Sequence, residues 1–222
     1  TLVRQNNPAC EHYIYKLTDD TGLAPCVDNG LLTLAVCKPD IRASAEPGDW
    51  IYGFGGKAYN GKLIYIAQVT DKLLDGNYYR HPEYEARSDA IYTWDGNVLQ
   101  AKRRGEFHAT SRRRDIGDHP SYANASVLIS TTFKYLGSRG LALDGSRYPT
   151  LHALVGSFNR KHRCKVDAAV RNELRLLRQE VWRMGFDSVL GQPHDPMPGG
   201  SACCRGAERS STEPIGRRGL CR

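Results

Sequence analysis

Long apolar runs are missing from this sequence: no stretch approaches the roughly 18 residues that a membrane helix needs, so no membrane partner is expected. No positively charged start runs into a signal-like apolar core, and a cytoplasmic location is expected. Seven cysteines are present (Cys10, Cys26, Cys37, Cys164, Cys203, Cys204 and Cys221), but none forms the C-x-x-C pair that binds zinc or works as a redox couple. Their odd number and scatter fit mostly reduced thiols. No His-Cys-Asp spacing marks a catalytic set among His12, His81, His108, His119, His152 and His162. Internal repeats are absent too. Neither a metal nor a cofactor is therefore expected, and the catalytic residues stay unknown.

What the chain does have is positive charge. Its 222 residues carry a formal net charge of +7, which attracts phosphate polyanions and favours nucleic acid as a partner. This length suits one principal domain with a small appendage. Basic residues concentrate between Lys102 and Arg114, where Lys102, Arg103, Arg104, Arg112, Arg113 and Arg114 surround Phe107 and His108, with Glu106 the one acidic residue before Arg114. So polar a stretch does not suit a core. It reads as an electrostatic track for phosphates, against the plainer reading of a solvated basic loop.

Residues 12–18 alternate ring or apolar with polar character and stop at Asp19-Asp20-Thr21-Gly22, which predicts a first strand. Leu31 to Cys37 is a short apolar run ended by Lys38-Pro39, and Pro39 to Ala45 reads as a short helical or turn segment. Pro47-Gly48-Asp49 is a turn, after which Trp50-Ile-Tyr-Gly-Phe and Leu63-Ile-Tyr-Ile-Ala-Gln-Val-Thr predict a β-hairpin across a glycine-rich loop. Further short strands are predicted near Ala90, Val127 and Phe133. Val166, Val170, Leu174, Leu177, Val181 and Met184 recur at spacings of three and four, the signature of one helix face, with Arg171, Arg175 and Arg178 on more polar faces. Beyond Leu190 apolar periodicity stops, and residues 191–222 are expected to be a disordered tail.

Three motifs stand out: Asp20-Thr-Gly-Leu-Ala-Pro, Cys37-Lys-Pro-Asp-Ile-Arg and Gly48-Asp-Trp, followed by Val127-Leu-Ile-Ser and Phe133-Lys-Tyr-Leu-Gly. Their order and spacing resemble the nucleotide modification associated domain 2 family over about residues 12–145. The resemblance implies a setting in bacterial and phage systems that modify DNA bases, without naming a reaction. The turn and the strand after it are also similar to PUA and EVE-like barrels, whose members bind RNA or modified DNA bases. The expected fold is α+β, a small PUA-like mixed β-barrel with peripheral helices and a C-terminal amphipathic helix. Its divisions would be an N-terminal extension (1–11), the barrel (12–145), a helical extension (146–190) and the tail (191–222).

The expected function is binding of nucleic acid, DNA favoured and RNA possible, through a modified base or nucleotide. The alternatives are an enzyme of base or nucleotide modification using the same pocket, and a protein interaction module; oligomeric state is left open. The base pocket would comprise Asp20, Thr21, Lys38, Arg42, Asp49 and Trp50, which offer carboxylates, point charge, guanidinium and an aromatic face. The phosphate backbone would meet Arg103, Arg104, Arg112, Arg113, Arg114, Arg171, Arg175 and Arg178. Cys37 beside Lys38 has the setting of an activated thiol, yet a buried strand cysteine is the stronger expectation. Among the histidines, His108 is the first to test.

Overall fold

The central sheet is built from strands whose apolar residues lie on both faces, because each face is covered. The computed structural model describes residues 11–159 and 161–196. Its strands are β1 (His12–Leu17), β2 (Cys26–Asp28), β3 (Leu31–Leu34), β4 (Trp50–Gly55), β5 (Leu63–Gln68), β6 (Asp71–Leu73), β7 (Tyr92–Asp95), β8 (Val98–Ala101), β9 (Val127–Ser130), β10 (Thr132–Tyr135) and β11 (His162–Arg163). The helices are α1 (Pro39–Ser44), α2 (Arg112–Ile116), α3 (Pro149–Gly156) and α4 (Ala168–Arg183).

A five-stranded sheet runs β10-β5-β4-β1-β11, with β1 parallel to β4 and the other pairs antiparallel. A four-stranded sheet runs β2-β3-β9-β6, and β7 with β8 forms a separate hairpin. Two chain segments pass from one sheet to the other: β5 leads through Val69 and Thr70 into β6, and β9 through Thr131 into β10. The sheets meet at this corner through Thr70, whose N–H donates to the Ile129 carbonyl at 2.8 Å. The fold is mixed α+β, and among the described residues the sheets join at a corner without closing into the expected barrel. The strands are too short, and β7 and β8 too separate, to supply a continuous ladder.

On one face of the central sheet, Tyr13, Tyr15, Leu17 and Ile51 pack with Val27, Leu32 and Leu34 of the second sheet and Ile41 of α1. On the other face, Ile14, Tyr52, Phe54 and Ile66 pack with Leu151 and Val155 of α3 and Leu174, Leu177 and Val181 of α4. The alternation follows the register, since Tyr13 faces Ile51 and Ile14 faces Tyr52 across the β1/β4 pair. Helix α4 begins at Asp167, whose carboxylate accepts from the Val170 N–H at 2.8 Å. Glu173 of α4 reaches back to α3 and accepts from the N–H groups of Thr150 (3.2 Å) and Leu151 (2.6 Å). A carboxylate there satisfies orphan donors at the positive end of a helix.

The glycine-rich hairpin has an internal cause. A Cβ on Gly53 would overlap the Tyr65 ring, and one on Gly55 would run into Tyr59. The close approach that those glycines permit is between core side chains and the strand. Of the sequence taken as a tail, residues 191–196 are described and packed, with Gly191 buried and Gln192 accepting from the Ser138 N–H at 2.7 Å; residues 197–222 lie outside the described residues.

Candidate active site

The six residues assigned to a base pocket do not assemble into one. Arg42 is fully buried, and its guanidinium donates to four backbone carbonyls: Cys37 (2.6 Å), Asn124 (2.6 Å), Ser126 (2.7 Å) and Asp115 (3.0 Å). So committed a group cannot clamp a ligand phosphate. Buried Asp49 accepts from the Glu46 N–H at 2.8 Å, the short-range capping that aspartate performs in turns. Trp50 stands edge-on to Trp182, with ring centroids 5.7 Å apart, and Arg178 lies over its ring at 4.0 Å. It therefore belongs to the α4 face, while Lys38 projects over Tyr15 on the opposite face.

Asp20 is also committed to the fold. One carboxylate oxygen accepts from the Tyr135 hydroxyl at 2.7 Å, and the other lies 3.2 Å from the His194 N–H and 3.1 Å from its Nδ1. Its own N–H donates to the Tyr59 hydroxyl at 3.1 Å, and its carbonyl accepts from the Asp195 N–H at 3.0 Å. Asp20 thus fastens residues 194–195 to the core, leaving no carboxylate face for a base. Thr21 follows it, half-buried. His194 is absent from the histidines considered above; its partner is 174 residues away in sequence, so no local pattern could reveal the pair.

The basic segment is ordered, as a 3₁₀ turn over Arg103–Ser111 running into α2. Arg104 donates to the Glu85 and Ala90 carbonyls, Arg112 to Leu99, and Arg113 pairs with Asp118 at 3.0 Å. Arg103 and Arg114 are exposed and have no partner among the described residues. Arg171, Arg175 and Arg178 lie on α4, across the central sheet from this segment, so the arginines do not form one track.

What the segment does instead is deliver two side chains to Cys37. His108 Nε2 is 3.5 Å from the Cys37 sulfur, although 71 residues separate them in sequence. On its other side, His108 Nδ1 is 2.8 Å from Asp115 Oδ2, an ion pair by distance in which the ring N–H is not aligned for a hydrogen bond. Asp115 is buried; its Oδ1 accepts from the Cys37 N–H at 2.8 Å, and its Oδ2 accepts from the Tyr92 hydroxyl at 3.0 Å. Thiol, imidazole and carboxylate form a chain, the ring standing between sulfur and oxygen. They do not surround a common point, and among the described residues no group of three or more His, Cys, Asp or Glu is arranged to hold a metal.

The electrostatics favour a protonated ring. Asp115, and secondarily the Cys37 sulfur, hold the His108 imidazole up to about 10, against the smaller opposing effect of burial. An imidazolium beside a cysteine sulfur is the arrangement that activates thiol nucleophiles. The sulfur is also presented in an unusual way. Cys37 (φ 57°) and Lys38 (φ 42°) are consecutive left-handed residues between β3 and α1. That region costs an L-residue roughly 1–2 kcal/mol, and Pro39 disfavours helical backbone at Lys38 further. Arg42 offsets this cost by binding the Cys37 carbonyl and the Asp115 carbonyl together. A sharp strand-to-helix turn that lifts a nucleophile clear of its strand is a recurring catalytic device.

Cys37 is accordingly half-buried in a turn beyond β3, correcting the expectation of a buried strand cysteine. Cys26 and Cys37 are free thiols, whereas Cys164 is disulfide-bonded. Lys38 extends its ammonium over the Tyr15 ring at 4.7 Å and donates to the Lys16 carbonyl at 3.2 Å. Among the described residues no helix is long and apolar enough to cross a membrane.

A protein-family model described as nucleotide modification associated domain 2 matches residues 9–195, a span that contains Cys37, His108, Asp115 and all four helices. No curated protein and no solved structure matches the chain.

Proposed function

The chain belongs to the nucleotide modification associated domain 2 family, and from that premise we propose that it is a thiol-dependent enzyme of nucleotide modification. The observation that carries this reading is the Cys37–His108–Asp115 chain at 3.5 and 2.8 Å, set on a strained strand-to-helix turn. In the reaction the Cys37 sulfur attacks an electrophilic carbon of the substrate. The C–S bond forms as the bond to the leaving group breaks, and the leaving group takes its electron pair and the proton on His108 Nε2. Water or an amine then attacks the thio-linked carbon and gives its proton to the now neutral His108, and the thiolate departs. Asp115 stays beside Nδ1 throughout and favours the charged form of the ring.

The test is incubation of the full chain with deoxynucleotides and with DNA carrying modified bases, read by mass spectrometry of the Cys37 peptide and of the nucleotide. A covalent adduct on Cys37 and a changed nucleotide are expected, both lost in Cys37→Ser. Turnover that survives Cys37→Ser sinks the reading.

A second reading concerns the carrier. The exposed guanidinium groups of Arg103 and Arg114, unpaired among the described residues, flank His108 in sequence and favour a substrate presented in a polynucleotide. Binding of a DNA strand should then weaken as salt rises, and weaken at fixed salt in Arg103→Ala. Indifference to both removes the carrier without touching the thiol chemistry.

A further inference from the structure

Lys38 is the cation in this neighbourhood whose position the fold does not explain. Its side chain is half-buried, yet among the described residues no carboxylate pairs with it. Its partners among the described residues are one backbone carbonyl, Lys16 at 3.2 Å, and the face of Tyr15 at 4.7 Å. An ammonium has three donors, so one carbonyl leaves capacity on the head group. Nearby charge is mixed and does not cancel the cost of burial. Burial holds the ammonium below the ordinary lysine value; Cys37 opposes that shift, Arg114 of α2 adds to it, and Asp19 opposes it.

Taking a cation out of water without a counter-ion is costly. The two buried arginines avoid that cost, Arg42 by four carbonyls and Asp115, and Arg87 by three carbonyls, Thr33, Tyr78 and Asp89. Buried Lys16 shares the lack of a carboxylate and meets the Phe158 ring at 5.6 Å, but Lys38 is the one of the two that stands next to the sulfur. Its strained backbone (φ 42°, before a proline) further fixes where the side chain departs.

Resting on the reading of Cys37 as a nucleophile, we propose that Lys38, assisted by exposed Arg114, binds a phosphate group of the substrate and so orients the reacting carbon at Cys37. The ligand chemistry is a phosphate ester, either the 5′-phosphate of a free deoxynucleotide or a phosphodiester of a strand. Tyr15 supports the ammonium from beneath; its hydroxyl is paired with Tyr65 at 2.8 Å and is not available to the ligand.

The experiment is equilibrium binding to the full chain by calorimetry, using deoxynucleoside 5′-monophosphates, the matching nucleosides, inorganic phosphate and a short single-stranded oligonucleotide. The variants are Lys38→Met, Lys38→Arg, Arg114→Ala and Cys37→Ser. The phosphate-bearing probes should bind at least about ten-fold more tightly than nucleosides, the scale of a charge-assisted hydrogen bond. That advantage should disappear in Lys38→Met, persist in part in Lys38→Arg, fall a few-fold in Arg114→Ala and survive Cys37→Ser. Preference for the monophosphate assigns the free nucleotide as the source, and preference for the oligonucleotide assigns the strand; both support the site. No advantage of phosphate in the wild type, or an equal advantage in Lys38→Met, overturns it. If Lys38→Met fails to fold, an Arg114→Ala variant with undiminished phosphate preference overturns the proposal equally. Because Cys37→Ser binding reports on the phosphate site alone, failure of the thiol chemistry and failure of this site are distinguishable.

Discussion

Arg42 is the residue whose role departs most from its appearance. In sequence it is a basic side chain in a turn-rich motif, which invites a ligand; in the fold it is a buried fastener that holds Cys37 to α2. Arg42→Met should destabilise the protein by about 3–5 kcal/mol in chemical denaturation, the range for removing one partner of a buried charge pair. His108 makes a pH-dependent contribution. Its folded value, about 10, lies above the ordinary 6.5, so its stabilisation is fully present below pH 6.5 and is lost as pH rises through 10. The melting temperature of the wild type should therefore fall relative to that of His108→Gln between those limits, by a few degrees for each ~1 kcal/mol lost. A constant difference across that interval would contradict the assignment of the imidazolium. Cys37 and His108 were each noticeable in the sequence, but their pairing was not, because the turn and helix that join them are 71 residues apart. Asp115 was the overlooked residue: it follows three arginines, so it reads as solvated charge, although the apolar Ile116 beside it marked the inward face of α2.

At the scale of elements, short segments with strong local chemistry were the legible ones. The β4/β5 hairpin, β1 and the short helix α1 follow from alternation, turn residues and Pro39. Hairpin β7/β8 was only half legible, since a strand was expected near Ala90 but the four residues of β8 carry little apolar pattern. Helix α3 lies within the helical extension expected over 146–190 but was not singled out there, because its eight residues begin at a proline after a loop and are too few for periodicity to declare itself. Its seat depends on Glu173, which binds the N–H groups of Thr150 and Leu151. Glu173→Ala should cost about 1–3 kcal/mol by leaving those donors unsatisfied, measured by urea denaturation. A change within 0.5 kcal/mol, the range of ordinary surface substitutions, would mean that water replaces the carboxylate.

At the scale of the whole molecule, the central sheet separates two chemistries. One face carries α3, α4 and the Trp50–Arg178 stack; the other carries Cys37, Lys38 and the segment that supplies His108 and Asp115. No reading of charge along the chain could separate the arginines of α2 from those of α4, because which face each occupies is set by strand register and by the corner between the sheets. Among the described residues the positive charge is thus divided, with Arg171, Arg175 and Arg178 on α4 and Lys38, Arg42 and the segment that carries His108 on the side of Cys37.

The measurement that tests the central claim most directly is the rate of iodoacetamide alkylation of Cys37 at pH 7, resolved peptide by peptide in the folded full chain, with His108→Ala alongside. The account predicts that Cys37 reacts at least about ten-fold faster than an ordinary free thiol such as glutathione, as an activated cysteine does, and that His108→Ala removes most of this excess. A Cys37 that reacts no faster than glutathione, and at the same rate with and without the imidazole, would contradict it and reduce the Cys37–His108–Asp115 chain to a structural tie between the turn and α2.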